Sequence, residues 1–192
     1  MRPRLVAVLL AAALLSGCTA SDLAGQRRPL CGPEGVRTTF LMSQSVPDAA
    51  LIPCIMQDPP APWWLESLSI DSTGTRLSFV EDMTTAAPSR VDLRFSASCD
   101  VTGAVAVPSD EADARRLERV ERIAAGYVGE RHYVFDHGCV TYRFDVHGDG
   151  WSGVVHTVSQ TWTFMPRAEV QRLRDELRRW PPTPAPLARD RR

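Results

Sequence analysis

Four cysteines, Cys31, Cys54, Cys99 and Cys139, follow what looks like an export leader, and that combination constrains the fold more than any other feature. Arg2 and Arg4 supply a positive start, and the eleven apolar residues Leu5–Leu15 are too short to span a bilayer, which needs about 20. An even number of cysteines in an exported domain points to two disulfides, with three pairings open. The pairing Cys31–Cys54 with Cys99–Cys139 is preferred, because Cys99 ends one predicted strand and Cys139 opens another. Val140, Tyr142, Phe144 and Val146 share one strand face while Cys139 falls on the other, so this pairing asks for a bulge at Gly138. The chain contains no Cys-x-x-Cys, so neither a thioredoxin-like site nor a zinc knuckle is indicated.

Leu15-Ser16-Gly17-Cys18 resembles the lipobox of bacterial lipoproteins. The resemblance implies cleavage before Cys18, a diacylglyceryl group on its sulfur, and anchorage on the extracytoplasmic face of the cell membrane. Residues 1–17 are then the signal peptide. Residues 18–30 form a lipidated tether that spans about 40 Å when extended. A globular domain occupies 31–180, and 181–192 is a Pro-rich polar tail read as disordered.

A mature chain of 175 residues suits one domain and buries an ordinary core. Hydrophobic residues at 44% and charged ones at 23% fit a globular class. All 22 basic residues are arginine, and there is neither lysine nor asparagine. Schiff-base chemistry, a Walker lysine and a Ser-x-x-Lys nucleophile are thereby excluded. Two arginines lie in the leader, so 20 remain against 23 acids, a net of −3 that gives no general attraction to nucleic acid.

Alternation along the chain predicts an α+β domain with a mostly antiparallel sheet. Val36–Gln44 reads as a first strand. Five prolines make 46–62 a loop pinned by Cys54. Strands are expected at 64–70 and 75–80 around the turn Asp71-Ser-Thr-Gly74. Val91, Leu93, Phe95 and Ala97 alternate with Asp92, Arg94 and Ser96, the pattern of a half-buried strand. A hairpin is expected over 131–135 and 140–146. The period-three Leu117, Val120 and Ile123 favour a surface helix over 109–125, with a twisted edge strand as the alternative. Val154–Phe164 reads as a long Thr-rich strand. After Pro166, Val170, Leu173, Leu177 and Trp180 give the stripe of an amphipathic C-terminal helix.

The segments Gln44-Ser-Val-Pro47, Leu51-Ile-Pro-Cys54, Cys99-Asp100, Val107-Pro-Ser-Asp-Glu111, Arg115–Arg122, Phe135 and Gly138-Cys-Val-Thr-Tyr-Arg-Phe144 together are similar to a group of actinobacterial lipoproteins and exported proteins. That resemblance implies a compartment and a disulfide-bonded domain. It supplies no catalytic residues.

Asp145, His147 and Asp149 have a spacing that suits a divalent metal, with Asp136 and His137 as further donors from a neighbouring turn. The plainer reading is the solvated face and Asp/Gly turns of a hairpin. Gly150-Trp-Ser152-Gly153 lacks the spacing of a serine-hydrolase elbow, and no helix is expected after it. His156 is placed on an apolar strand face. Trp63 and Trp64, adjacent in a Pro-stiffened stretch, form the candidate partner-binding surface, unless one of them caps the core. Residues 167–192 hold eight arginines and four acids, a basic helix suited to anionic lipid or to packing on the sheet.

The function expected is a non-enzymatic binding or accessory module at the cell envelope, anchored in the lipid bilayer through Cys18. Its partner would be a membrane protein or an envelope component, and no cofactor is implied. The alternatives are a metal-dependent envelope hydrolase and a small-solute receptor.

Overall fold

The computed structural model describes residues 28–57, 59, 61–81 and 88–179. Helix α1 (Val36–Ser45) leads into strand β1 (Leu51–Ile55), followed by β2 (Trp64–Asp71), β3 (Gly74–Val80) and β4 (Arg90–Ser96). A short β5 (Val105–Val107) precedes the long strands β6 (Arg115–Ile123), β7 (Gly126–Phe135) and β8 (Gly138–His147). Helix α2 (Trp151–Ser159), strand β9 (Trp162–Pro166) and helix α3 (Arg167–Arg179) complete the described chain. The leader, Cys18, Trp180 and the Pro-rich tail lie outside the described residues.

Seven strands form one antiparallel sheet in the order β2-β3-β4-β8-β7-β6-β5, and β1 pairs with β9 in a separate ribbon. The alternation in β4 does what its sequence requires. Val91, Leu93 and Phe95 pair across with Phe144, Tyr142 and Val140 of β8, all buried. Asp92 and Arg94 pair with Arg143 and Thr141 on the opposite face. The apolar face packs against Met42 of α1, Ile52 of β1, Val155 and Val158 of α2, Trp162 of β9 and Val170 of α3. Phe79, Phe95 and Phe144 are among the largest fully buried side chains, each contributing about 1.5–3 kcal/mol by leaving water. The result is a single sheet-rich α+β domain with a C-terminal helix: helices and ribbon cover one face, and the other is open.

Both disulfides join the preferred pairs, with Cα–Cα distances of 5.1 Å for Cys31–Cys54 and 5.8 Å for Cys99–Cys139. No bulge at Gly138 is needed. The β7–β8 register runs unbroken from Phe135↔Gly138 onward, and Cys139 points to the open face with Thr141. The chain leaves β4 at Ser96 and turns over that face, which brings Cys99 Sγ to 3.0 Å from Thr141 Oγ1.

Four segments differ from their sequence reading. The expected first strand at 36–44 is helix α1. Its Thr39 and Ser43 hydroxyls donate to the carbonyls of Gly35 and Phe40, so these residues find partners without leaving the helix. The expected loop at 46–62 contains β1, fully buried; Pro53 is tolerated because β1 pairs along its length on one edge alone, with β9. The expected helix at 109–125 is a turn followed by strand β6. A bulge between Val120 and Arg122 puts Val120 and Ile123 on one face, while Leu117, paired with His132, lies on the other, so the spacing of three marks no common face. The expected strand at 154–164 is helix α2 with β9. Trp151, Val154, Val155 and Val158 sit at i, i+3, i+4 and i+7, a helical stripe hidden by the β-branched composition.

Candidate functional site

The residues singled out from the sequence do not converge. Trp63 is buried in the core, whereas Trp64 is 42% exposed. Trp63 lies just before β2 and Trp64 opens it; both line a hollow of about 200 Å³ with Pro59, Ala61 and Phe79, Trp63 from the core side and Trp64 from the surface. Asp145 and His147 share an exposed face of β8, with Asp145 Oδ1 3.8 Å from His147 Nε2, and Asp149 lies in the exposed turn beyond. Asp136 and His137 form the turn at the other end of that strand, roughly 30 Å away at about 3.4 Å per residue. Among the described residues no three His, Cys, Asp or Glu side chains come together around a metal position.

Gly150-Trp-Ser-Gly opens α2, so a helix does follow it. Ser152 and His156 are exposed on that helix, and neither side chain is hydrogen-bonded among the described residues. His156 is therefore on a solvent-facing helix position and not in an apolar strand face. Two arginines of α3 are engaged in packing. Arg167 donates to the carbonyls of Ala49, Ser43 and Val46, and Arg174 lies 4.4 Å over the Phe40 ring. Arg172 bridges Glu169 and Glu176.

A different constellation lies under β6 and β7, where α2 and β9 leave part of the apolar face uncovered. Arg131 of β7 is in register with Glu118 of β6, in the phase that elsewhere carries Tyr127, Tyr133 and Phe135. Arg131 Nε donates to Glu118 Oε1 at 2.7 Å, and its Nη1 donates to Ser159 Oγ of α2 at 2.8 Å. Arg116 donates to the same Glu118 oxygen through Nε at 3.0 Å and Nη2 at 2.5 Å. Burial pushes the Glu118 carboxyl up, but the Arg116 and Arg131 guanidiniums outweigh it and hold the group below the usual carboxylate value.

Two tyrosines extend the set. The Tyr133 hydroxyl donates to Asp110 Oδ1 at 2.8 Å. Tyr142 is 2% exposed, and its hydroxyl reaches the cleft with no hydrogen-bond partner among the described residues. Burial raises the pKa of both phenols. Glu111 stands nearby, accepting from Thr163 Oγ1 at 3.3 Å. Burial, and then the neighbouring Asp110, push its carboxyl above the ordinary value.

These groups line two adjoining hollows. One, of about 410 Å³, contains Glu111, Tyr133, Tyr142 and Trp162. The other, of about 530 Å³, contains Trp151, Tyr127, Val120 and Arg131. Asp110, Ser159 and Gln160 belong to both, so the cleft is continuous. Trp151 stacks on Tyr127 with ring centroids 5.0 Å apart. Such a cleft can seat a small organic ligand against aromatic walls and orient it by a few polar groups.

The open face of the sheet carries a larger groove, of about 1020 Å³, but its polar groups are mostly committed to one another. Glu130 accepts from Arg119 at 2.5 Å and from Arg143 at 3.0 Å. Ser78 donates to Asp92 and accepts from Arg90, which also bonds Glu66. His132, 1% exposed, has Nδ1 2.9 Å from Thr141 Oγ1; its Nε2 is enclosed 3.5 Å from Glu130 without a hydrogen bond. Burial lowers the His132 pKa, with Glu130 opposing.

The sequence does not foreshadow the cleft because β6 carries a helical spacing and α2 and β9 together carry the composition of one long strand. One signal was visible: Arg131 interrupts the apolar phase of β7. Comparison with protein-family models, curated proteins and solved structures returns no match.

Proposed function

We propose that this protein is a lipid-anchored, extracytoplasmic binding module of the cell envelope, non-enzymatic, with the cleft under β6 and β7 as its ligand seat. The anchor is Cys18, on the strength of the Leu15–Cys18 motif, and two disulfides suit an oxidising compartment. One observation carries the binding reading: the cleft's charged groups are fixed by one another, while the Tyr142 hydroxyl faces the hollow with no protein partner among the described residues. Arg116, Arg131, Glu118 and Asp110 form a closed set of pairs that holds shape. Tyr142 presents hydrogen-bonding capacity that the fold leaves unused.

The test has two parts, both on the full chain in its own membrane. Fatty-acid labelling and detergent-phase partition should follow the wild type and be lost in Cys18→Ala. Retention of label in that variant would remove the anchor from the reading. In-cell crosslinking from a photoreactive residue at Gln160 should then give discrete adducts with an envelope component. Adducts indistinguishable from those of a probe at exposed Val105 would remove the cleft.

A further inference from the structure

We propose that the cleft binds a neutral saccharide, with the Tyr142 hydroxyl and Glu111 as its polar seat and Trp151 as its apolar wall. This rests on the reading of the domain as an envelope binding module and names the ligand class.

The argument begins with Tyr142. Its ring is enclosed, while its hydroxyl meets the solvent of the cleft and bonds no described residue. Solvent in the cleft meets that hydroxyl, so phenylalanine there would leave the stability of the fold unchanged and take away only a hydrogen-bonding group that the hollow offers a ligand. A phenol both donates and accepts, and so does a sugar hydroxyl. Beside it, Glu111 offers a carboxylate oxygen with no partner among the described residues, and the Gln160 amide is equally uncommitted. The lining therefore presents acceptors and donors together, the requirement of a polyol.

Charge narrows the choice. Asp110 and Glu111 at the polar end repel an anion. A cation gains from Glu111 but must compete with Arg131 and Arg116 for the carboxylates of Glu118 and Asp110 that they already hold. A neutral ligand avoids both penalties. Trp151 and Tyr127, stacked in the adjoining hollow, supply an aromatic surface on which the C–H face of a pyranose packs. The two joined hollows, about 410 and 530 Å³, give room for a disaccharide.

The experiment uses full-length protein in detergent micelles. Tryptophan fluorescence and melting temperature are followed on adding neutral disaccharides built from glucose, galactose, mannose and N-acetylglucosamine, with choline and inorganic phosphate as probes of the charged alternatives. Binding of at least one disaccharide is expected, with a fluorescence change, since Trp151 and Trp162 line the cleft. Tyr142→Phe should fold with an unchanged melting temperature and bind that sugar about tenfold more weakly. No response to any disaccharide, or a Tyr142-dependent response to choline or phosphate instead, would overturn the proposal. Membrane labelling through Cys18 is independent of this result, so failure here leaves the anchor standing.

Discussion

Arg131 and Glu118 face each other directly across β7 and β6, Nε 2.7 Å from Oε1, on the face that elsewhere builds the hydrophobic core. The Arg131 guanidinium also lies 5.6 Å over the Phe144 ring, so the charge is held by core and cleft together. Removing one member of such a pair strands the other in a poorly solvated place. Arg131→Met should lower stability by about 3 kcal/mol in urea denaturation. Arg131→Met with Glu118→Leu should recover part of that loss. If the double variant is weaker than the sum of the singles, the pair is not the coupled unit described.

How much of this was legible follows the same logic. Strands β3, β4 and β8 have one buried and one polar face, and their period of two is written plainly in residues 74–80, 90–96 and 138–147. Helix α3 is equally plain. The errors cluster where tertiary packing overrules local preference. Thr38, Thr39 and Ser43 are poor helix formers that α1 accepts because they are buried against the rest of the domain. In α2, four Val and Thr residues among nine concealed a helical stripe. In β6 a bulge brings Val120 and Ile123 to one face at a spacing of three, and Leu117 on the other face extends the same spacing without sharing that face. The cleft is assembled from β6, α2 and β9, the very elements misread, so only its β7 and β8 residues could be placed in advance. Arg131 was visible as a charge in an apolar phase, but its partner depended on recognising β6 as a strand.

Stability should fall on mild acidification because of His132. Its folded pKa is depressed below the ordinary 6.5, first by burial and then by Arg119, while Glu130 and Asp100 oppose. The unfolded chain therefore takes up a proton more readily than the native one. The contribution is full above the unfolded value and is lost as pH drops below it. Glu118 behaves in the same direction at lower pH, since its folded pKa is also lowered. Glu111, raised by burial, has the opposite sign: it favours the fold when protonated and loses that contribution as pH rises through its folded value. Melting temperatures between pH 7.5 and 5 should decline in the wild type and decline less in His132→Gln. Identical slopes for the two proteins would exclude His132 as the source.

The Cys99–Cys139 bridge closes a 40-residue separation and pins the chain that crosses the open face. Chain-entropy arguments give it about 4 kcal/mol, against about 3.4 for the shorter Cys31–Cys54 loop. Cys99→Ser with Cys139→Ser should therefore be the more damaging pair in guanidinium denaturation. Mass spectrometry of a non-reduced digest should recover these two pairs intact; any crossed pair would contradict the fold, since Cys31 and Cys54 join the amino end to β1 on the covered side.

Gly129 sets the shape of the cleft wall. It lies mid-strand in β7 opposite Val120, and a Cβ there would stand 2.6 Å from the Tyr127 hydroxyl and 2.7 Å from the Arg119 carbonyl. The carbonyl belongs to the β6 backbone and cannot move alone, so the Tyr127 ring must give way, and with it the stack on Trp151. Gly129→Ala should cost about 1–3 kcal/mol and change the near-ultraviolet circular dichroism of the tryptophans. Ligand binding in the cleft should weaken with it even where the protein remains folded. Gly153→Ala is the matched control, because its Cβ meets nothing within 4 Å and a helical alanine is favoured over glycine. Equal spectra for the two variants would mean that the Tyr127–Trp151 wall does not depend on the bare backbone at Gly129.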